Sequence, residues 1–458
     1  MTASEQHSAA DGKHLRRLLP ELLLALLLGA IGAWVSFSAS GRLMALATEY
    51  GSNVWFDADS LRVLQNMTDR RSDHYRSRVH PLFSVITWPS NVVVRKLVGV
   101  TAEMAVRIQL AAMAALLPML VFTALRLSGT GHADAALLSG LTIASASFLC
   151  FSGTPETHLF GGVSVALALI MAAIAERHRM PSWWHVAAGA ISMSITVTNW
   201  LLGWLMGWLQ LGLRHGVLAN LRAFAMVTVL WALGTGTLYN MTFFLRWRAE
   251  MAYTSTGGEA GMGGKVLSTL FHTILLPQVA EVPYDLGSRG VGTYQSSPGS
   301  SGGVAVVGVL LWAGLLMLGS LGLWQRYRAG LRFAGIVGLF VLGQVAVFAV
   351  YGREVFLFSL NLLPALMVLA SFAMQGRWRF PARMAVAALL VCAVVNNPRQ
   401  AALAQTIAGQ VYDANASLVP RQAVRVQMER RPADLWPRGT GHVLLAVPHS
   451  DLDSKAYH

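Results

Sequence analysis

Long apolar runs cut by short polar turns make up most of this chain, and about 20 apolar residues at ~1.5 Å per residue suffice to cross a bilayer. Such runs occupy 18–37, 102–125, 133–151, 158–175, 184–197, 200–213, 221–245, 304–324, 333–350, 356–374 and 382–395. They predict an all-α polytopic membrane protein with about eleven transmembrane helices. The stretch 184–213 is short for two spans, and its length alone leaves open whether it is one or two. With 54% hydrophobic and only 12% charged residues among 458, an ordinary soluble globular protein is excluded. Both cysteines, Cys150 and Cys392, fall inside apolar runs, so neither a disulfide framework nor a thiolate metal site is expected.

Charge orients the spans. A formal net charge of +13 would suggest nucleic acid for a soluble chain, but here the cations cluster between apolar runs, where topology and membrane lipid account for them and no nucleic-acid partner is implied. The turns at Arg126, Arg177 and Arg179, Arg214 and Arg222, Arg326 to Arg332, and Arg377 to Arg383 are basic, and the alternate turns are much less so. The pattern predicts a cytoplasmic N-terminus, provided that 81–98, which carries Pro81, Pro89, Arg95 and Lys96, does not cross but lies as an interfacial or re-entrant helix. The expected organisation is a transmembrane module over 1–395 and a short outer tail over 396–458. Within the module, a first outer loop over 41–101 carries amphipathic helices. A second outer loop, 246–303, is rich in Gly and Ser and reads as flexible, with 266–287 as an amphipathic surface helix. In the tail, 442–448 has strand-like character.

Chemistry is concentrated in the first outer loop. Residues 55–89 hold Asp57, Asp59, Asp69 and Asp73, four of only 22 acidic residues, together with Arg62, Arg70, Arg71, Arg76 and Arg78. His74 and His80 add groups that titrate near neutrality. The pair Asp57 and Asp59 offers one carboxylate as a general base and a second to hold a metal or orient an acceptor. Asp59 directly precedes a predicted helix at Ser60, so it is also placed as a plain N-cap. The same outer face is expected to hold the His80-Pro81-Leu82 sequence, the turn around Glu156 and His158, and Arg353 in YGREVFLF. A divalent metal on Asp59, Glu156 and His80, with His74 and His158 nearby, is a possible cofactor, although the histidines lack a fixed helical spacing.

These positions resemble the GT-C superfamily of integral-membrane glycosyltransferases, which includes protein O-mannosyltransferases and lipid A aminoarabinose transferases. In that family an acidic residue in the first outer loop, a His-Pro-Leu or Pro-Pro-Leu helix start and a further acidic residue after the third span line an outward-facing cavity. Asp57 and Asp59, then His80, Pro81 and Leu82, then Glu156 stand in that order over roughly the first 250 residues. The chain departs from the family in reading Asp-Ala-Asp where adjacent acids are common, which leaves open which carboxylate is the base.

The resemblance implies transfer of a sugar from a polyprenyl-phosphate donor to a periplasmic glycan, lipid or protein acceptor. It places the protein in a bacterial inner membrane with its active site facing the periplasm. Asp59, supported by Asp57, is the expected base; His80, Glu156, His158, Arg353, Arg76, Arg78 and His74 are the expected substrate contacts. Lys265 and His272 are further cationic candidates. Two alternatives are a transporter or flippase of a lipid-linked sugar, which would carry charge in mid-span, and a non-catalytic assembly partner, which would tolerate loss of the aspartates.

Overall fold

The computed structural model describes residues 3–50, 54–244, 250–251, 254, 261–284 and 289–416. The chain divides into two compact units, Met1–Asn415 and Ala416–His458, and all but the first residue of the second lies outside the described residues, including the strand-like 442–448.

The first unit opens with α1 (Ala3–Tyr50), α2 (Ser60–Thr68), α3 (Phe83–Val98) and α4 (Ala102–Leu127). Next come α5 (His132–Ala144), α6 (Ala146–Phe151), α7 (His158–Arg177), α8 (Ser182–Ile195), α9 (Trp200–Leu211) and α10 (Leu213–Thr235). A short α11 (Gly261–Leu267) leads to a two-stranded antiparallel hairpin, β1 (Ala280–Pro283) and β2 (Arg289–Gly292). The chain then runs through α12 (Gly303–Arg328), α13 (Arg332–Val350), α14 (Ser359–Ser371) and α15 (Arg379–Ala416). Among the described residues, eight helices are long and apolar enough to cross a membrane: those in α1, α4, α7, α10, α12, α13 and α15, and the segment Val355–Gln375 around α14. The chain is a multi-pass membrane protein.

Three of the expected spans, 133–151, 184–197 and 200–213, are not among these eight. The run 133–151 is broken at Ser145, whose extended backbone ends α5 and whose hydroxyl oxygen accepts from Phe148 N to start α6. The amides freed by the break are taken up from outside, Ala146 N by the Ile274 carbonyl at 3.0 Å and Ser147 N by the Thr273 carbonyl at 3.2 Å. The run 184–213 forms two helices, α8 and α9, joined by the single turn Val197–Asn199. They pack backbone to backbone: a Cβ on Gly203 would stand 2.6 Å from the Gly189 Cα, so this crossing tolerates no side chain there. At 14 and 12 residues they reach only ~20 Å, short of the ~30 Å hydrocarbon core.

Other boundaries also differ from the sequence reading. Helix α1 runs on to Tyr50, past position 41, and α15 continues past 395 to Ala416. The segment 266–287 is not one amphipathic helix, because only its start is helical and Ala280–Pro283 pairs as a strand. The Ser- and Gly-rich stretch 296–303 is tied down rather than loose: Ser296 Oγ donates to Gln278 O, and Ser301 Oγ lies 2.9 Å from both Leu276 O and Asn396 Oδ1, to either of which its proton can go.

The core is built around the span containing α14, 94% of whose apolar window is buried, against 28% for α1 and α10. At one end of the bundle the basic turns find carboxylates. Arg379 and Arg383 both bind the fully buried Asp134, Arg126 binds Glu21, and the amides of Arg332 and Phe333 donate to Glu176. Because α1, α4 and α7 each begin or end there, their other ends deliver the first outer loop and the turn 152–157 to the opposite side.

Candidate active site

The loop after α1 is fixed before any of its charges is placed. Trp55 forms a parallel bridge with Val291 in β2; Phe56 N donates to Val291 O at 2.9 Å, and Val291 N to Val54 O at 2.8 Å. Trp55 Nε1 donates to Cys150 O at 2.9 Å. The chain then reverses in a turn closed by Ala58 N donating to Trp55 O, with Phe56 at φ 49° and Asp57 at φ 59°. Two successive non-glycine residues in the left-handed region cost about 1–3 kcal/mol each, which the surroundings must offset. Phe56 is fully buried edge-on against Phe151 and Phe356, and that aromatic packing holds the turn.

This turn points the chain into α2. Asp59 sits at the N-cap position but makes no side-chain cap bond, so the capping role read from sequence is not the one it plays. Its Oδ2 pairs with Arg62, and Oδ1 accepts no hydrogen bond among the described residues. Its backbone N–H donates to Glu156 Oε2 at 3.1 Å. Glu156 Oε1 accepts from Thr157 N and Thr157 Oγ1. Burial, reinforced by the nearby Asp59 charge, pushes the Glu156 carboxyl above its ordinary range.

Asp57, Asp59, Arg76, Arg78, His80, Glu156, His158 and Arg353 all line one cavity of about 600 Å³, together with Arg62, Tyr75, Glu250, Tyr351 and Asn361. His74 does not join them. It is fully buried ahead of the 3-10 turn Tyr75–Arg78, its amide donating to Tyr239 O, and burial lowers its pKa. Lys265 and His272 are likewise buried and absent from the cavity lining; burial lowers both, His272 to about 3.

His80 is a neutral acceptor or donor rather than a cation. Burial, and then the Arg76 charge, depress His80 well below its ordinary value. With Nδ1 held 2.8 Å from the Ile195 carbonyl, the proton sits on Nδ1, and Nε2 faces the Thr157 hydroxyl at 3.4 Å. Asn361 Nδ2 stands 2.9 Å from His158 Nδ1, which leaves the Nε2–H to point toward Glu156 Oε1 at 3.9 Å. The positive charge of the cavity comes from guanidinium groups. Arg76 is mostly buried, and although burial alone would lower its pKa, Asp59 and Glu250 raise it. Arg353 is exposed, donating to Pro283 O at 3.4 Å and lying over the Tyr294 ring.

Among the described residues no group of three or more His, Cys, Asp or Glu side chains is gathered as a metal site needs. Within the expected trio Asp59 Oδ2 pairs with Arg62, Glu156 Oε1 accepts from Thr157, and His80 Nδ1 faces a carbonyl.

Sequence reasoning overlooked Glu250, Tyr351 and Glu354. Glu354 is buried beside the exposed Arg353, and its Oε2 accepts from Thr293 N and Tyr294 N while Oε1 accepts from Thr293 Oγ1. It therefore clamps the end of β2, the strand on which the Trp55 turn is built. An acid set in apolar sequence was the available signal.

Burial raises the Glu354 pKa above its usual 4.5. A carboxyl whose folded pKa is raised contributes stability that is full below its unfolded pKa and lost as pH rises through the folded value. Glu354→Gln mimics the protonated acid, since its carbonyl oxygen can take both amides. Thermal unfolding of the detergent-purified variant across pH 4 to 8 should thus lack the alkaline loss expected of wild type; parallel curves would mean that Glu354 does not titrate between the folded and unfolded states in this way.

No protein-family model matches the chain, and no curated protein matches it. Two crystal structures of ArnT from Cupriavidus metallidurans are similar. The one bound to undecaprenyl phosphate has a TM-score of 0.42 at 15% identity, covering 80% of this chain and 60% of that one. The apo structure also has a TM-score of 0.42 at 15% identity, covering 82% and 62%. This chain therefore spans about 60% of the length of the structures it matches.

Proposed function

We propose that the protein is a membrane glycosyltransferase that moves a sugar from a polyprenyl-phosphate donor to a hydroxyl of a glycan, lipid or protein acceptor. The observation that carries this reading is one cavity lined both by Asp59, a carboxylate with an oxygen accepting no hydrogen bond among the described residues, and by the guanidinium groups of Arg76, Arg78 and Arg353. Asp59 takes the acceptor proton as the acceptor oxygen bonds to the anomeric carbon; the bond from that carbon to the phosphate oxygen breaks, and the guanidinium groups neutralise the departing lipid phosphate. Glu156 serves by holding the Asp59 backbone, and His80 and His158 offer neutral imidazole to sugar hydroxyls. Asp57 supports the base from the strained turn.

The proposed setting is a bacterial inner membrane with the N-terminus in the cytoplasm and the cavity facing the periplasm. Support comes from the alternation of basic turns and from their grouping at the end of the bundle away from the cavity. On that pattern α5 with α6, α8 and α9 also cross, the two short helices by local thinning of the bilayer around them, making eleven spans with the eight long helices and leaving the chain after α15 outside.

One experiment tests reaction and orientation together. Labelled sugars carried on polyprenyl phosphates are supplied to right-side-out and inverted vesicles, beginning with undecaprenyl phosphate, the lipid bound in the similar ArnT structure. Transfer is expected in right-side-out vesicles. Transfer confined to inverted vesicles reverses the orientation, and none with any donor in either preparation removes the enzymatic reading.

A further inference from the structure

Glu250 brings a carboxylate into the part of the cavity where the cations gather. Its Oε1 pairs with Arg78 Nε, its Oε2 lies 3.4 Å from an Arg76 guanidinium nitrogen, and Tyr351 Oη donates to the same Oε2 at 2.6 Å. The Glu250 side chain is only 12% exposed. The donors are themselves held in place: Arg78 lies over the Tyr75 ring at 5.1 Å, and Tyr351 packs against Phe358. Two guanidinium groups and a phenol converging on one small anion make a seat that fits a phosphate, whose oxygens accept the same charge-assisted bonds.

We propose that Glu250 is an internal stand-in for that phosphate: a phosphate-bearing lipid takes Arg76, Arg78 and Tyr351 by displacing the Glu250 side chain, which returns when the lipid leaves. This rests on the glycosyltransferase reading for its ligand, but its consequence is separate. The sugar donor is a phosphodiester with a single negative charge, whereas the product left after transfer is a phosphomonoester carrying roughly −1.5 to −2 at neutral pH. A bare cationic seat would hold the product more tightly than the donor and stall turnover. A competing carboxylate weakens both and keeps the product exchangeable, so Glu250 acts on affinity and release rather than on bond breaking.

The test is binding of undecaprenyl phosphate to the purified full chain, wild type against Glu250→Gln, which keeps size but not charge. The variant should bind on the order of tenfold more tightly, and product inhibition in the transfer assay should deepen correspondingly. Equal or weaker binding overturns the proposal and makes Glu250 an organiser of the arginines. Glu250→Asp, which keeps the charge on a shorter stem unable to reach both guanidinium groups, should fall between the two and serves if the Gln variant does not fold. If none of the proteins binds the lipid, the lipid-phosphate reading fails. Titration with inorganic phosphate then examines the seat alone, with tighter binding by the variant expected and equal binding overturning it.

Discussion

Asp59→Asn protein is expected to fold as wild type does and to transfer sugar on the order of 100-fold or more slowly, the usual contribution of a positioned general base. The structure makes the substitution a clean one. Asp59 makes no side-chain cap bond on α2, so Asn removes no capping interaction, and the backbone N–H that donates to Glu156 is unaltered. The Arg62 pair is lost, but Asp59 is 35% exposed, and ion pairs at such exposure contribute only up to about 1 kcal/mol. Asp57→Asn should cost less than tenfold, because Asn adopts the left-handed backbone of that position as readily as Asp does. The measurements are initial transfer rates on a polyprenyl-phosphate donor alongside thermal unfolding. A dead Asp57→Asn beside an active Asp59→Asn would exchange the two roles; two active variants would leave the glycosyltransferase reading without its main support.

What the sequence made legible follows from the range of the signal. A membrane span is a local property, and so is the α2 start at Ser60, which the turn after Trp55 sets up. The residues that meet in the cavity could be named because an acid or cation between apolar runs stands out, and membrane topology brings alternate turns to one side. The break at Ser145 was not legible, since it depends on the carbonyls of Thr273 and Ile274 arriving from more than 120 residues away. The hairpin was hidden for a similar reason. Its short strands are stabilised by Val54, Trp55 and Phe56 on one side and by Glu354 at the end of β2, partners that no local pattern reveals. His74 shows the converse error: it belongs to the charged loop by sequence, yet its turn directs it into the protein.

Arg76→Ala should lower kcat/KM for the lipid-linked donor by on the order of 100- to 1,000-fold, the scale on which fixed groups stabilise charge developing in a transition state. Arg76 has the stronger claim among the cavity cations because its guanidinium is mostly buried, where a charge acts through less solvent, and because it lies close enough to Asp59 and Glu250 to respond to both. Arg353 shares the lining but is exposed and already directed to Pro283 O and the Tyr294 ring, so Arg353→Ala should cost less than tenfold and mainly through KM. Removing Arg76 also leaves Asp59 and Glu250 less compensated, so a loss of folding must be separated from a loss of chemistry. Arg76→Lys provides that separation: it restores the charge, and with it stability, but not the planar fork that binds two oxygens at once. Lys at this position should therefore recover the thermal unfolding temperature fully and the rate only in part. Full recovery of rate would mean that point charge alone is used, and an Arg353→Ala defect larger than that of Arg76→Ala would move the phosphate contact to the outer rim of the cavity.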